Sequence, residues 1–306
     1  MSGINIHDCI LTTRFHRGRL SKHHGEPLGP AVCSSLKRQP ILGLVVSAAV
    51  ALTALPGGRS EAADLAFKAM VPAAYNWGGC YAGVNGGLGM ISSDFNSSVD
   101  NGTHLLPPDP SVVGLAGTGS FNGDNFAVGG QIGCNLQSGT LVYGLEGDGD
   151  YFRGNAKLFN NTNTLSDGVT PFTVNQSATT NYIATVRPRI GIAADRNLAY
   201  VTGGAAFTSI NYAQTYSDVP TAGGAIAAPG TGTAAASKSL VGWAAGAGWE
   251  YAWTDQATFR LEYLYTSFPT TSVLGAITDP AGGVNTLHGS ANLVIQLARV
   301  GLNYKF

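Results

Sequence analysis

The sequence predicts an all-β fold: an eight-stranded antiparallel up-and-down transmembrane β-barrel with short periplasmic turns and four long external loops. Three observations predict it. Eight runs of alternating polarity recur along residues 78–306. Their connections alternate between tight and long, as they do in barrels whose two ends face different compartments. The final run, LARVGLNYKF, puts Phe306, Tyr304, Leu302, Val300 and Ala298 on one face and Lys305, Asn303, Gly301 and Arg299 on the other, ending on an aromatic.

The chain opens with a route out of the cytoplasm. Arg14, Arg17, Arg19, Lys22, Lys37 and Arg38 precede the apolar run ILGLVVSAAVALTAL from Ile41 to Leu55, and the small residues Ser60 and Ala62 follow. This is the pattern of a secretory signal, too short for a spanning helix of roughly twenty residues. Residues 1–62 are therefore expected to be a signal peptide with an extended N-terminal region, the true translation start lying near Leu36. Residues 63–76 are expected to form a periplasmic linker and residues 77–306 the barrel. No later segment is apolar for long enough to make a membrane helix, so any crossing is made by strands. The segment 1–62 holds seven of the 17 cations and three of the 18 acids, leaving ten against fifteen. That balance excludes a basic nucleic-acid surface.

The strands are expected at Gly78–Met90, Asn125–Leu136, Thr140–Tyr151, Thr179–Ile192, Asn197–Ile210, Ser239–Trp253, Gln256–Ser267 and Ala291–Phe306. Tight turns fall at QSG after Leu136, at ADR after Ala193 and at Thr254–Asp255; the other connections are long and rich in Asn, Ser, Thr, Gly and Pro. The stretch from Thr221 to Ser237 is low in complexity and reads as exposed loop. Trp243, Ala245, Ala247, Trp249, Tyr251 and Trp253 share one side of the sixth strand, and Phe259, Leu261, Tyr263 and Tyr265 one side of the seventh. These faces are assigned to lipid, with Trp249, Tyr251, Trp253, Tyr304 and Phe306 in the girdle at the short-turn end and Tyr263 and Tyr265 toward the other. A lipocalin-like secreted barrel, the competing architecture, would turn its aromatics inward and leave Gly, Ala and charges outside.

The opposite face carries Glu146, Asp148, Arg187, Arg189, Glu250, Arg260, Glu262 and Arg299. An eight-stranded barrel is just wide enough for side chains to fill it, so these groups are expected to pair across the interior and plug it. Counting from the short turns pairs Glu146 with Arg187 or Arg189, and Arg260 and Glu262 with Arg299. The same residues lining a narrow passive channel form the alternative. Aligning Cys80 with Cys134 sets Ala82, Val84 and Leu88 opposite Ile132, Gly130 and Phe126, which satisfies both faces and predicts a cross-strand disulfide in an oxidising compartment.

Catalytic patterns are weak. The glycines at Gly83, Gly86, Gly87 and Gly89 lack the Lys-Ser/Thr and helix of a phosphate loop. After cleavage the histidines are His104 and His288, both expected in loops, and no metal or cofactor site is implied. His288 beside Ser290, with Glu262 in the barrel, is a faint pointer to a lipid-modifying enzyme.

Taken together, WGGCYAGVNGGLG (Trp77–Gly89), GGQIGCN (Gly129–Asn135), GLEGDGDY (Gly144–Tyr151) and the terminal RVGLNYKF resemble the small outer-membrane β-barrel domain family, the porin-like surface proteins of Gram-negative bacteria. The resemblance implies location in the cell outer membrane but no single activity, its members having varied or unassigned roles; the filled interior gives the expectation of a structural or surface-interaction role without enzymatic activity. The resemblance also implies outer-membrane lipid and the barrel assembly machinery as partners, the latter reading the terminal signal at Tyr304 and Phe306. It names no partner for the external loops.

Overall fold

The computed structural model describes residues 75–306. The expected signal peptide, and the expected linker apart from Tyr75 and Asn76, lie outside the described residues. The strands are β1 (Gly79–Val99), β2 (Gly119–Ser138), β3 (Leu141–Thr164), β4 (Pro171–Ala194), β5 (Asn197–Asp218), β6 (Thr231–Ala252), β7 (Ala257–Thr278) and β8 (Val284–Lys305), with one helix, α1 (Asp109–Ala116), between β1 and β2. Each strand pairs antiparallel with the next and β8 returns to β1, closing the barrel. Closure suits the bilayer core, where no water is present to satisfy an unpaired backbone group.

Three short connections gather at one end. Gly139 (φ 60°) and Asp195 (φ 49°) take the left-handed conformation that two of these tight turns need, which glycine adopts freely and aspartate tolerates. The external connections L1 (100–118), L2 (165–170), L3 (219–230) and L4 (279–283) gather at the other end. Most of the residues expected in these excursions are instead paired as strand. Each strand runs 20–24 residues, although about ten suffice to cross a membrane at 45°. The expected strand ends therefore move outward, and Thr231–Ser237 of the low-complexity stretch lies in β6.

The extra length has a chemical signature, because the two faces of each strand exchange character partway up. Near the short turns, β8 points Val300, Leu302 and Tyr304 outward, each about half exposed, and buries Arg299 and Asn303. Above Ile295 it buries Leu293, Ala291 and Leu287 and turns Asn292, Ser290 and His288 outward. The other strands agree: Asp94, Asn122, Arg153, Asn155, Asn211 and Ser272 face out in the upper half, whereas Ile91, Phe95, Phe152, Ile183, Ile210 and Leu264 are buried there. The lower half is dressed for lipid and the upper half for water.

Aromatics mark both boundaries. Phe126, Tyr151, Tyr182, Phe207 and Trp243 are exposed along five successive strands, with Tyr151 directly opposite Tyr182 and Trp243 against Tyr265 at 5.4 Å. Toward the short turns, Trp249, Tyr251, Trp253, Phe259, Tyr304 and Phe306 form the second belt. Trp243 on β6 and Trp253 just past its end are ten residues apart, the span a tilted strand needs.

This exchange predicts opposite responses to one substitution on a single outward face. Val300→Arg should cost about 2–4 kcal/mol because it lies midway between the belts. Ser290→Arg should fall within about 0.5 kcal/mol of wild type because it lies in water. Equilibrium urea unfolding in lipid vesicles measures both.

Candidate functional site

The interior of the lipid-facing half holds a single network. Glu146, Asp148 and Asp150 alternate inward along β3, and the register sets Glu146 opposite Arg187 of β4, Glu250 of β6 opposite Arg260 of β7, and Glu262 of β7 opposite Arg299 of β8. These eight side chains and that of Arg189 on β4 are all buried, none more than 7 % exposed. Arg187 Nη2 lies 2.6 Å from Asp148 Oδ2, 3.0 Å from Glu146 Oε1 and 3.2 Å from Glu262 Oε1. Arg260 donates to both oxygens of Glu146 at 2.7 Å and also meets Glu262. Arg189 bridges Glu250 at 2.7 Å and Glu146 at 3.2 Å. Arg299 lies 3.0 Å from Asp148 Oδ1 and also contacts Asp150 and Glu262. Burial makes unpaired charges costly, so each guanidinium sits among several carboxylates.

Every charge predicted to face inward does so, with one pairing to correct. Arg260 does not pair with Arg299. Both are cations, and Glu262 sits between them, accepting from each. Sequence reasoning missed three members of the site. Asp150 continues the alternation of Glu146 and Asp148, but it lay at the expected strand end. Tyr81 donates to Glu146 and accepts from Arg189 at 3.0 Å; Tyr200 donates to Glu262 at 2.8 Å with its ring 4.5 Å from the Arg189 guanidinium. The β1–β2 alignment already turns Tyr81 inward, opposite Gly133, without giving it a partner, and Tyr200 carried only inward parity on the fifth strand. Gly248 makes room for Tyr200, since a Cβ there would stand 2.4 Å from the phenol ring.

Apolar layers close the network on both sides. Toward the short turns, Tyr75 and Trp77, just before β1, enter the mouth and pack with Val142, Ala193, Leu198, Tyr200 and Ala252. Gln137 accepts from the Trp77 amide at 2.6 Å and Asn135 donates to its carbonyl at 3.4 Å. Above the charges, Ile91, Phe152, Ile183, Leu264, Leu293 and Leu297 belong to one continuous core.

β1 and β2 pair Cys80 with Cys134, Ala82 with Ile132, Val84 with Gly130 and Leu88 with Phe126; the two sulfurs are bonded, with Cα atoms 4.0 Å apart. Tyr304 and Phe306 lie exposed in the lower belt, 55 % and 71 % accessible. His288 is not in a loop: it lies on β8, faces outward and stands 2.8 Å from Asp100. Glu262 points inward well below it, so His288, Ser290 and Glu262 form no site. His104 does lie in L1 but is buried, its two ring nitrogens each 2.7 Å from a carboxylate, Asp218 at the end of β5 and Asp279 in L4. The Gly283 amide and the His104 ring hold the Asp279 carboxyl below the usual range. This contact ties L1 to L3 and L4. Among the described residues no cluster of His, Cys, Asp and Glu is arranged to hold a metal.

Apolar strands facing out, charges sealed within and two aromatic belts define an outer-membrane β-barrel. The comparisons agree: the chain belongs to the outer membrane protein beta-barrel domain family, which matches residues 62–306. It is 28 % identical over 236 residues to the 31 kDa outer-membrane immunogenic protein of Brucella melitensis biotype 1, covering 76 % of this chain and 85 % of that protein. It is 26 % identical over 232 residues to the 25 kDa outer-membrane immunogenic protein of Brucella canis, covering 76 % and 80 %. Among solved structures, the outer membrane protein OprG from Pseudomonas aeruginosa aligns over 76 % of this chain and 98 % of its own at 12 % identity, with a TM-score of 0.37. The lipocalin-like alternative is set aside, since exposed Val84, Leu88, Ile132, Leu261, Val300 and Leu302 belong in lipid.

The network carries a double-mutant test. Arg260→Leu alone removes both 2.7 Å donors from Glu146 and one cation from Glu262, leaving three guanidiniums among five buried carboxylates, and should cost about 3–5 kcal/mol, whereas Arg260→Leu with Glu146→Leu should cost less than that single change. Denaturant unfolding of the four proteins in one lipid measures the coupling.

Proposed function

We propose that this outer-membrane barrel is a structural or surface-interaction protein whose interior is plugged by ion pairs, neither a channel nor an enzyme. The carrying observation is the stack of three filled layers: the Tyr75–Trp77 mouth, the carboxylate–guanidinium network and the apolar core above it. A narrow passive channel lined by Glu146, Arg187 and Arg299 would need a continuous wet path, and buried Ile91, Phe152 and Leu264 stand across it. Cys80–Cys134 would then fasten the base of the β1–β2 excursion, Tyr304 and Phe306 would be read by the assembly machinery, and the external ends would meet partners outside the cell.

Single-channel recording in a planar bilayer tests the plug. Wild type should show little or no steady conductance, and Arg299→Ala, which takes one cation from Asp148 and Glu262 and leaves Asp150 without its guanidinium, should be less stable and leak. A large steady wild-type conductance, unchanged by Arg187→Ala or Arg299→Ala, would reject the plug in favour of the channel.

A further inference from the structure

Above the outer aromatic belt the barrel wall is broken twice. The β2–β3 ladder ends at Ala127–Phe152, although β3 continues for twelve more residues. The β6–β7 ladder stops at Trp243–Ser267 and resumes at Thr233–Ala276, leaving residues 234–242 of β6 and 268–275 of β7 without partners across the gap. Their other sides stay engaged, β6 with β5 throughout and β7 with β8 apart from one irregularity after Phe268. Over that stretch the wall is two four-stranded sheets, β7–β8–β1–β2 and β3–β4–β5–β6, facing each other over an apolar core and rejoined above by the three rungs from Thr233–Ala276 to Thr231–Thr278.

The two breaks are treated differently. The chain covers the first itself: L1 carries α1 across it, with the Thr118 hydroxyl accepting from the Ser97 amide of β1 at 3.2 Å and Gln176 of β4 donating to the Gly117 carbonyl. No described residue covers the second. Its ends are pinched: a Cβ on Gly242 would stand 2.2 Å from the Ser267 carbonyl oxygen, and one on Gly275 2.5 Å from that of Thr233. Between the pinches Ser237, Lys238, Ser239, Pro269 and Thr270 are exposed. Lys238 Nζ meets the Ser272 carbonyl oxygen at 3.5 Å. A lysine stem reaches about 6 Å at most, so the two strands there stand no more than about 9.5 Å apart, and an added strand, which occupies two inter-strand spacings, would part them to that limit and take Lys238 off the Ser272 carbonyl.

We propose that the β6–β7 slit accepts an extended segment of a partner polypeptide as an added strand, with a carboxylate of that segment opposite Lys238. Two facing strand edges offer backbone donors and acceptors to both sides of an incoming chain, the chemistry of strand addition. Lys238 is the one charged residue in residues 234–242 and 268–275, which sets the sign of the partner. Lys238 and Pro269 also limit indiscriminate pairing, since a charge and a missing N–H blunt an edge. The inference rests on the surface-interaction reading only in needing the slit to face the exterior; a conducting barrel would leave it intact, so the two fail separately.

The test is amide hydrogen exchange, read by mass spectrometry on the full barrel in lipid nanodiscs. The probe is a peptide of alternating threonine and valine, about nine residues long, with glutamate at its centre. Without peptide, residues 234–242 and 268–275 should hold amides that exchange at least about ten-fold faster than those paired between β5 and β6. With peptide those amides should slow, and Lys238→Glu should weaken the effect by about ten-fold and transfer the preference to a lysine-centred peptide. Heat-modifiable gel migration checks that the variant is folded. Uniformly slow exchange without peptide would show a closed wall and overturn the proposal. So would millimolar peptide that protects nothing, or protection by a sulfated glycan in place of the peptide.

Discussion

Hydrocarbon offers a backbone amide no partner, and the architecture follows from that. Across about ten residues per strand every N–H and C=O must be paired within the ladder, which closes around all eight strands there. The same solvent reverses the usual side-chain order, so Val, Leu and aromatics stand outside and polar groups turn in. Where the strands leave the bilayer, water again satisfies exposed backbone and the order returns to that of a soluble barrel. Only there does the wall break, between β2 and β3 and between β6 and β7.

The two halves are consequently held by different forces. In the lower half lipid is as apolar as leucine, so outward residues gain nothing by folding inward and cohesion comes from the ladder and the charges it surrounds. Four guanidiniums and five carboxylates share that space, and each arginine reaches two or more acids. In the upper half ordinary apolar burial, about 25 cal/mol per Å², holds one sheet to the other through residues such as Phe95, Ile210 and Leu293. The external ends are tied further by His104 between Asp218 and Asp279, which makes L1, L3 and L4 one cap.

This division explains what the sequence revealed. Period-two alternation below the outer belt was unambiguous, so eight strands, the tight turns, the β1–β2 register and the inward face of all eight predicted charges were legible. The alternation changes sign at the belt. On β8 the run LVI from Leu293 to Ile295 is apolar on both faces where the two regimes meet, and beyond it Asn292 and Ser290 sit outside. Read with a single rule of apolar outside and polar inside, the upper residues resemble loop, so the strands were ended seven to eleven residues early on several edges. The helix α1 gave little warning, because Asp109–Ala116 lacks a side-chain cap and starts behind two prolines. Asp150, Tyr81 and Tyr200 went unassigned because their roles depend on what lies across the lumen.

The exchange of faces at the outer belt is tested most directly by an accessibility scan of β8. Nitroxide labels at the outward positions Thr286, His288, Ser290, Asn292, Val294, Ala298, Val300 and Leu302 would be read by electron paramagnetic resonance in bilayers. Relaxation by oxygen reports lipid and relaxation by a nickel chelate reports water. The structure predicts chelate-dominated relaxation from Thr286 to Asn292, oxygen-dominated relaxation from Ala298 to Leu302, and the crossing near Val294. Oxygen-dominated relaxation continuing to Thr286, or no crossing along the strand, would contradict it.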